Sequence, residues 1–343
     1  MQTASLKYTT NRSVIMVSLA VSLVLMIIKF VAYALTASSA ILSDALESII
    51  NVVAGGFAFF SLVLSARPPD KTHPYGHGKI EYFSAGFEGA LIVLAAVGIF
   101  FSGLYQTFHP KELPTLDIGL LLVLGASLVN LALGLFLVRM GKKNDSLVLL
   151  ADGKHILTDV YTSAGVLAGL LVVHVTGWFR GDGVIACVVG VHIVYSGSQL
   201  VRSAFAGLMN RSEPALLDEI CSLLETHRRD VWIDVHRLRA WRSGAWVHLD
   251  FHLILPRDIP LWDAHKQVKD LEKIFMEYFG GQADVLIHLD PCDDPECPIC
   301  GHEPCELRNG EPRGQSQWKR DWVECHGDVT ESRAEERVRL VGL

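Results

Sequence analysis

Two stretches of this 343-residue chain carry the same arrangement of groups able to hold a metal ion. Ser43-Asp44-Ala45-Leu46-Glu47-Ser48-Ile49-Ile50-Asn51 and Ala151-Asp152-Gly153-Lys154-His155-Ile156-Leu157-Thr158-Asp159 both place a small residue and an Asp ahead of two ligand-type residues four apart. A spacing of four puts both side chains on one face of a helix, about one turn apart. The pairs are Glu47/Asn51 and His155/Asp159. If the two helices meet, a carboxylate, an amide, an imidazole and a second carboxylate converge, a donor set suited to tetrahedral binding of a divalent cation. Asp44 and Asp152, three residues before each pair, are expected either to support the ligands or line the approach to them, or to serve a purely structural role.

The elements that must position these groups are apolar. Half of the residues are hydrophobic, and the mean hydropathy is +0.32. Six segments, at about 13–35, 40–65, 81–108, 116–138, 148–176 and 182–208, reach the roughly 20 apolar residues that a membrane helix needs. The paired ligands fall in the second and fifth. Ionisable residues inside such spans are costly and mark ion or proton pathways more often than structural joints; Glu88 in the third span is a further case, either lining a pathway or pairing with Lys29 of the first span. The connections near 36–39, 109–115 and 177–183 carry Lys111 and Arg180. The opposite side carries Lys7, Arg12, Arg67, Lys71, Lys79, Arg139, Lys142, Lys143, Arg202 and Arg211. The excess of Lys and Arg places that side and both termini in the cytosol.

From about residue 211 the chain reads as soluble protein. A helix at about 213–228 begins near Pro214, two alternating strands cover about 231–242 and 245–255, a helix covers about 260–279, and Asp284–Asp290 forms a last short strand. The order αββαβ predicts an α+β domain with its helices on one face of a sheet. His248, Asp250 and His252 alternate and so share one face of their strand. Three regions follow: 1–210 within the membrane, 211–291 soluble, and a Cys-containing tail, 292–343, whose Pro, Gly and charge content predicts a mostly flexible segment. In that tail Cys292, Cys297, Cys300 and Cys305 form C-x4-C-x2-C-x4-C, either a metal anchor or a row of thiols. A net charge of −7 argues against nucleic acid as a partner.

These spans, the paired ligands, the loop Asp70-Lys71-Thr72-His73-Pro74-Tyr75-Gly76-His77-Gly78-Lys79-Ile80-Glu81, and the ending Asp284-Val285-Leu286-Ile287-His288-Leu289-Asp290-Pro291 resemble the cation diffusion facilitator family of zinc-type metal/proton antiporters over about residues 10–292. The resemblance implies six transmembrane helices, a cytosolic ferredoxin-like domain, a homodimer, and a transport site midway through the bilayer at Glu47, Asn51, His155 and Asp159. Many members have a carboxylate where this chain has Asn51, so an oxygen-rich site tolerant of Fe(II) or Mn(II) beside Zn(II) is expected. Asp70, His73 and His77 match a second family site, and two His four apart with an acid nearby can hold zinc. His236, His252, His265, His288 and Asp290 match the family's cytosolic cluster at the dimer contact.

The resemblance further implies proton-coupled efflux from the cytosol of a multi-pass protein in the bacterial inner membrane. The bound metal is substrate and regulator, with no catalytic cofactor. A membrane sensor or scaffold that binds metal without moving it is the alternative. An intramembrane hydrolase is disfavoured, since the chain has no HExxH motif.

Overall fold

A computed structural model describes residues 2–36, 39–109, 118–144, 146–176, 180–293, 297, 299–303, 305–308 and 317–324. The chain divides into two compact units, Ser5–Met209 and a soluble unit beginning at Asn210.

The first unit is a bundle of six helices: α1 (Gln2–Thr36), α2 (Ser39–Ser65), α3 (Ile80–Phe108), α4 (Ile118–Asn144), α5 (Leu147–Thr176) and α6 (Arg180–Leu208). Within α1, α2, α3, α4 and α6 lie stretches long and apolar enough to cross a membrane. The 30-residue α5 matches them in length but carries Asp152, Lys154 and Asp159 in its first half. Large apolar side chains such as Val53, Leu94, Phe101, Leu128 and Val188 stand exposed around the bundle, the outer surface expected of a protein solvated by lipid.

Helix contacts run chiefly between α3 and α6 and between α4 and α5. Glycine permits the first. A methyl group added to Gly183 would lie 2.5 Å from the carbonyl oxygen of Gly103, and Gly89 and Gly197 oppose one another in the same way at 3.2 Å. Without a hydrophobic drive between helices in lipid, such backbone-close contact supplies the packing energy. Gly55 and Gly56 make no comparably close approach.

The soluble unit runs α7 (Pro214–Thr226), β1 (Asp234–Ser243), β2 (Trp246–Leu255), α8 (Leu261–Tyr278), β3 (Ala283–Pro291) and a short α9 (Arg320–Val323). The expected αββαβ order is present. The sheet order is β1-β2-β3, with β1 antiparallel and β3 parallel to β2. Val247, Leu249, Phe251, Leu253 and Leu255 of β2 pack on Leu216 and Ile220 of α7 and on Leu271 and Phe275 of α8. Both helices therefore cover the same face, and the even-numbered residues of β2 occupy the other.

The tail departs from its expected flexibility at its described residues. Trp318, Trp322 and Val323 enter the same core. Trp322 Nε1 donates to Asp234 at 2.7 Å, and the Arg228 guanidinium stands 4.0 Å from the Trp318 ring centroid. Two buried indoles give this segment enough apolar area to offset its ordering entropy.

Candidate metal centres

In the bundle, α2 and α5 bring Asn51, His155 and Asp159 together. Asn51 and His155 are 9% and 7% exposed. The Asn51 amide nitrogen donates to Asp159, and its oxygen lies 2.8 Å from His155 Nε2. With the amide so oriented, Nε2 carries the proton, and the lone pair on the buried Nδ1 has no partner among the described residues. One amide thus bridges an imidazole and a carboxylate, three of the four expected ligands. Glu47 belongs to α2 one turn before Asn51; its side chain, like that of Asp44, lies outside the described residues.

Two further acids are buried in the bundle. Asp152 is not a vestibule group: it is 2% exposed and accepts from Ser18 of α1 at 2.7 Å. That α1 contact had no pattern to announce it, since Ser18 is one hydroxyl in an apolar run. Glu88 is fully buried, and neither of its carboxylate oxygens has a hydrogen-bond partner among the described residues. Pairing between Glu88 and Lys29 is therefore not what holds it.

The loop between α2 and α3 gathers Asp70, His73 and His77, with one ligand atom of each within 4.8 Å of the others. Asp70 Oδ1 accepts from the Thr72 hydroxyl at 2.7 Å and from the backbone N–H groups of Thr72 and His73 at 2.8 and 2.7 Å. These bonds, the Thr72 hydroxyl foremost, hold the carboxyl far below the usual carboxylate range. Gly76, at φ +80°, turns the chain so that His77 returns toward Asp70, its Nε2 3.6 Å from Oδ2. The Thr72 hydroxyl donates to Asp70 and so accepts from His73 Nδ1 at 2.9 Å, which puts the lone pair of that imidazole on Nε2.

In the soluble unit, register builds the third group. His236 pairs with His252 across the antiparallel ladder, and His252 with His288 across the parallel one, so three imidazoles form one row. Their rings stand 5.0 and 4.5 Å apart. Asp290, two residues beyond His288, accepts from His252 at 2.8 Å, approaches His236 at 3.4 Å and pairs with His288 at 2.8 Å. His236, His252 and Asp290 satisfy the same 4.8 Å closeness as the loop group.

A bulge makes this row possible. The β1 register shifts between His236 and Arg239, and Arg237 sits at φ +54°. The extra residue lets Val235 and Leu238 both face the core while His236 faces away from it. Within one subunit His265 stands exposed on α8, in the helical layer on the opposite face of the sheet, and is not drawn into this group. His248 also belongs elsewhere, paired with Asp284 at 3.0 Å beneath a stacked Trp241.

Cys292, Cys297, Cys300 and Cys305 line one pocket at the edge of the soluble unit. Cys221 is core, its thiol pushed up to about 12 by burial and then by Asp218.

A family model for the cation efflux transmembrane domain matches residues 15–209, and one for the cation efflux protein cytoplasmic domain matches residues 213–292. An uncharacterized transporter of Synechocystis sp. is 36% identical over 280 residues, covering 81% of this chain and 90% of that protein. The cation-efflux pump FieF of Yersinia pestis is 30% identical over 279 residues, 80% of this chain and 90% of its own. The FieF pump of Serratia proteamaculans is 29% identical over 292 residues, covering 82% and 93%.

Proposed function

Since this chain belongs to the cation diffusion facilitator family, and is a multi-pass cation-efflux transporter rather than an enzyme, we propose that it exports a divalent transition metal in exchange for protons. Zn(II) is the first choice of cargo, with Fe(II) or Mn(II) next. The observation that carries this reading is the buried bridge from Asn51 to both His155 and Asp159. Those three side chains, with Glu47, would hold the ion between α2 and α5.

Metal ligands must be deprotonated, so protons compete with the cargo for His155 and the carboxylates. An inward proton gradient then favours release on the far side. Asn51 donates more weakly than a carboxylate, which leaves room for metals that prefer oxygen. Alternating access would move the site from one side of the bilayer to the other. Asp70, His73 and His77 form a surface station for entering ions.

The soluble unit is the family's dimerisation domain, and the chain acts as a homodimer. Metal held by His236, His252 and Asp290, with His288 beside them, would draw two subunits together and regulate transport. The lysine and arginine distribution supports cytosolic termini, and the bacterial relatives support an inner-membrane location.

The test is flux. Purified protein in sealed vesicles with an imposed pH gradient should accumulate Zn(II), with Fe(II) and Mn(II) as competitors, and His155→Ala should abolish uptake. Saturable binding without uptake would mark a sensor or scaffold instead.

A further inference from the structure

The segment after β3 folds back on the soluble unit. Its first N–H, at Cys292, donates to Leu255 O at 2.8 Å. Arg257 reaches Leu307 O at 3.3 Å, and Arg308 donates to the carbonyls of Cys300 and His302 at 3.4 and 2.7 Å. Cys300 is buried against Ile233 and Ile254, with Cys292 and Ile299 packed beside them. These contacts bring Cys292, Cys297, Cys300 and Cys305 to the wall of one pocket, with His302, Arg257 and Arg308. Four of the chain's seven cysteines share it.

The spacing is that of a thiolate metal turn. Cys297-Pro298-Ile299-Cys300-Gly301 carries a Cys-x-x-Cys spacing, and Cys300 N–H bonds back to Cys297 O at 3.4 Å. The backbone N–H groups of His302 and Arg257 stand toward the Cys300 and Cys292 sulfurs, the kind of outer support that thiolate metal ligands require.

We propose that Cys292, Cys297, Cys300 and Cys305 bind one Zn(II), or another thiophilic divalent ion, and that this ion pins residues 292–308 to the soluble unit. The donor set is all sulfur, so it selects against Mn(II) and differs in kind from the imidazole and carboxylate centres. Four thiolates around Zn(II) leave two negative charges, which the guanidinium groups of Arg257 and Arg308 offset. The sulfurs line the pocket wall without the closeness of the His236 group. Binding therefore contracts the pocket.

Full-length protein, reduced and stripped by chelator, is titrated with Co(II). The expected result is thiolate-to-cobalt charge-transfer absorption that saturates at one Co(II) per chain and is bleached by Zn(II). Cys297→Ser with Cys300→Ser should remove it, and His236→Ala with His252→Ala should leave it. A second readout on the unaltered chain guards against misfolded variants: Zn(II) should protect these four cysteines from alkylation, located by mass spectrometry. No charge-transfer band in the reduced protein, a band that survives the double Cys variant, or equal alkylation with and without Zn(II) overturns the proposal.

Discussion

Replacing Asn51 by Asp tests whether this side chain meets the transported ion. The amide nitrogen of Asn51 donates to Asp159. Asn51→Asp turns that donor into an acceptor and sets two carboxylates against each other in a buried site. At about 4 Å and an effective dielectric near 20, their repulsion is about 4 kcal/mol. A divalent ion between them removes the repulsion, so the gain in metal affinity is bounded at about a thousandfold. A proton removes it equally well, so the gain shrinks as pH falls. Dye-competition titrations of Zn(II) and Mn(II), at pH 8 and pH 6, on both proteins would measure this. The expected outcome is tighter Zn(II) binding by about ten- to a thousandfold at pH 8, much less at pH 6, and an altered Zn/Mn ratio. Unchanged affinity and preference at both pH values would show that Asn51 is not a ligand and would refute the coordination drawn from its hydrogen bonds.

Three further outcomes are expected. Gly183→Val drives a side chain into the Gly103 carbonyl and should cost about 1–3 kcal/mol of bundle stability, read as a lower thermal midpoint in detergent. Arg237 holds a left-handed backbone at the β1 bulge; Arg237→Gly should be tolerated and Arg237→Val should destabilise by about 1–2 kcal/mol, with loss of Zn(II) at His236 as the site-specific readout. Asp70 has a depressed pKa from its Thr72 and His73 hydrogen bonds, so its stabilising effect is complete above the ordinary carboxylate pKa and lost only as pH falls through the lower folded value. The Thr72 and His73 amide resonances should therefore hold their positions down to about pH 3.8, the range in which an ordinary Asp would titrate; a shift centred there would contradict the hydrogen-bonded turn.

The four-residue spacing of Glu47/Asn51 and His155/Asp159 puts each pair on one face by helical periodicity alone, and the structure brings Asn51, His155 and Asp159 together. The same holds for His252, whose alternation with His248 and Asp250 marked a strand face. What alternation could not tell was which histidines converge. That depends on an extra residue at Arg237 within the β1–β2 hairpin and on the parallel register of β3, which is set by pairing across the intervening α8. Within one subunit the sheet lies between the helix of His265 and the imidazole row. The close glycines were hidden too, although Gly89/Gly103 and Gly183/Gly197 have the same separation along two antiparallel helices. Composition alone hid the docking of residues 317–324. Trp318 and Trp322, one helical turn apart, were the signal that the segment docks.

A carrier must also travel back without its cargo, and the Asn51 bridge bears on that leg of the cycle. Polar groups stripped of partners in hydrocarbon cost several kcal/mol each, a penalty that would strand a transporter whose ligands had nothing to hold. Here the imidazole Nε2–H and the carboxylate are each bonded to one amide that links α2 to α5. The two helices stay joined whether an ion or a hydrogen bond does the joining. On the proposed mechanism this lets the unloaded protein reset without opening its interior to water, and it makes an amide at position 51 an asset for turnover even where a carboxylate would grip the metal harder.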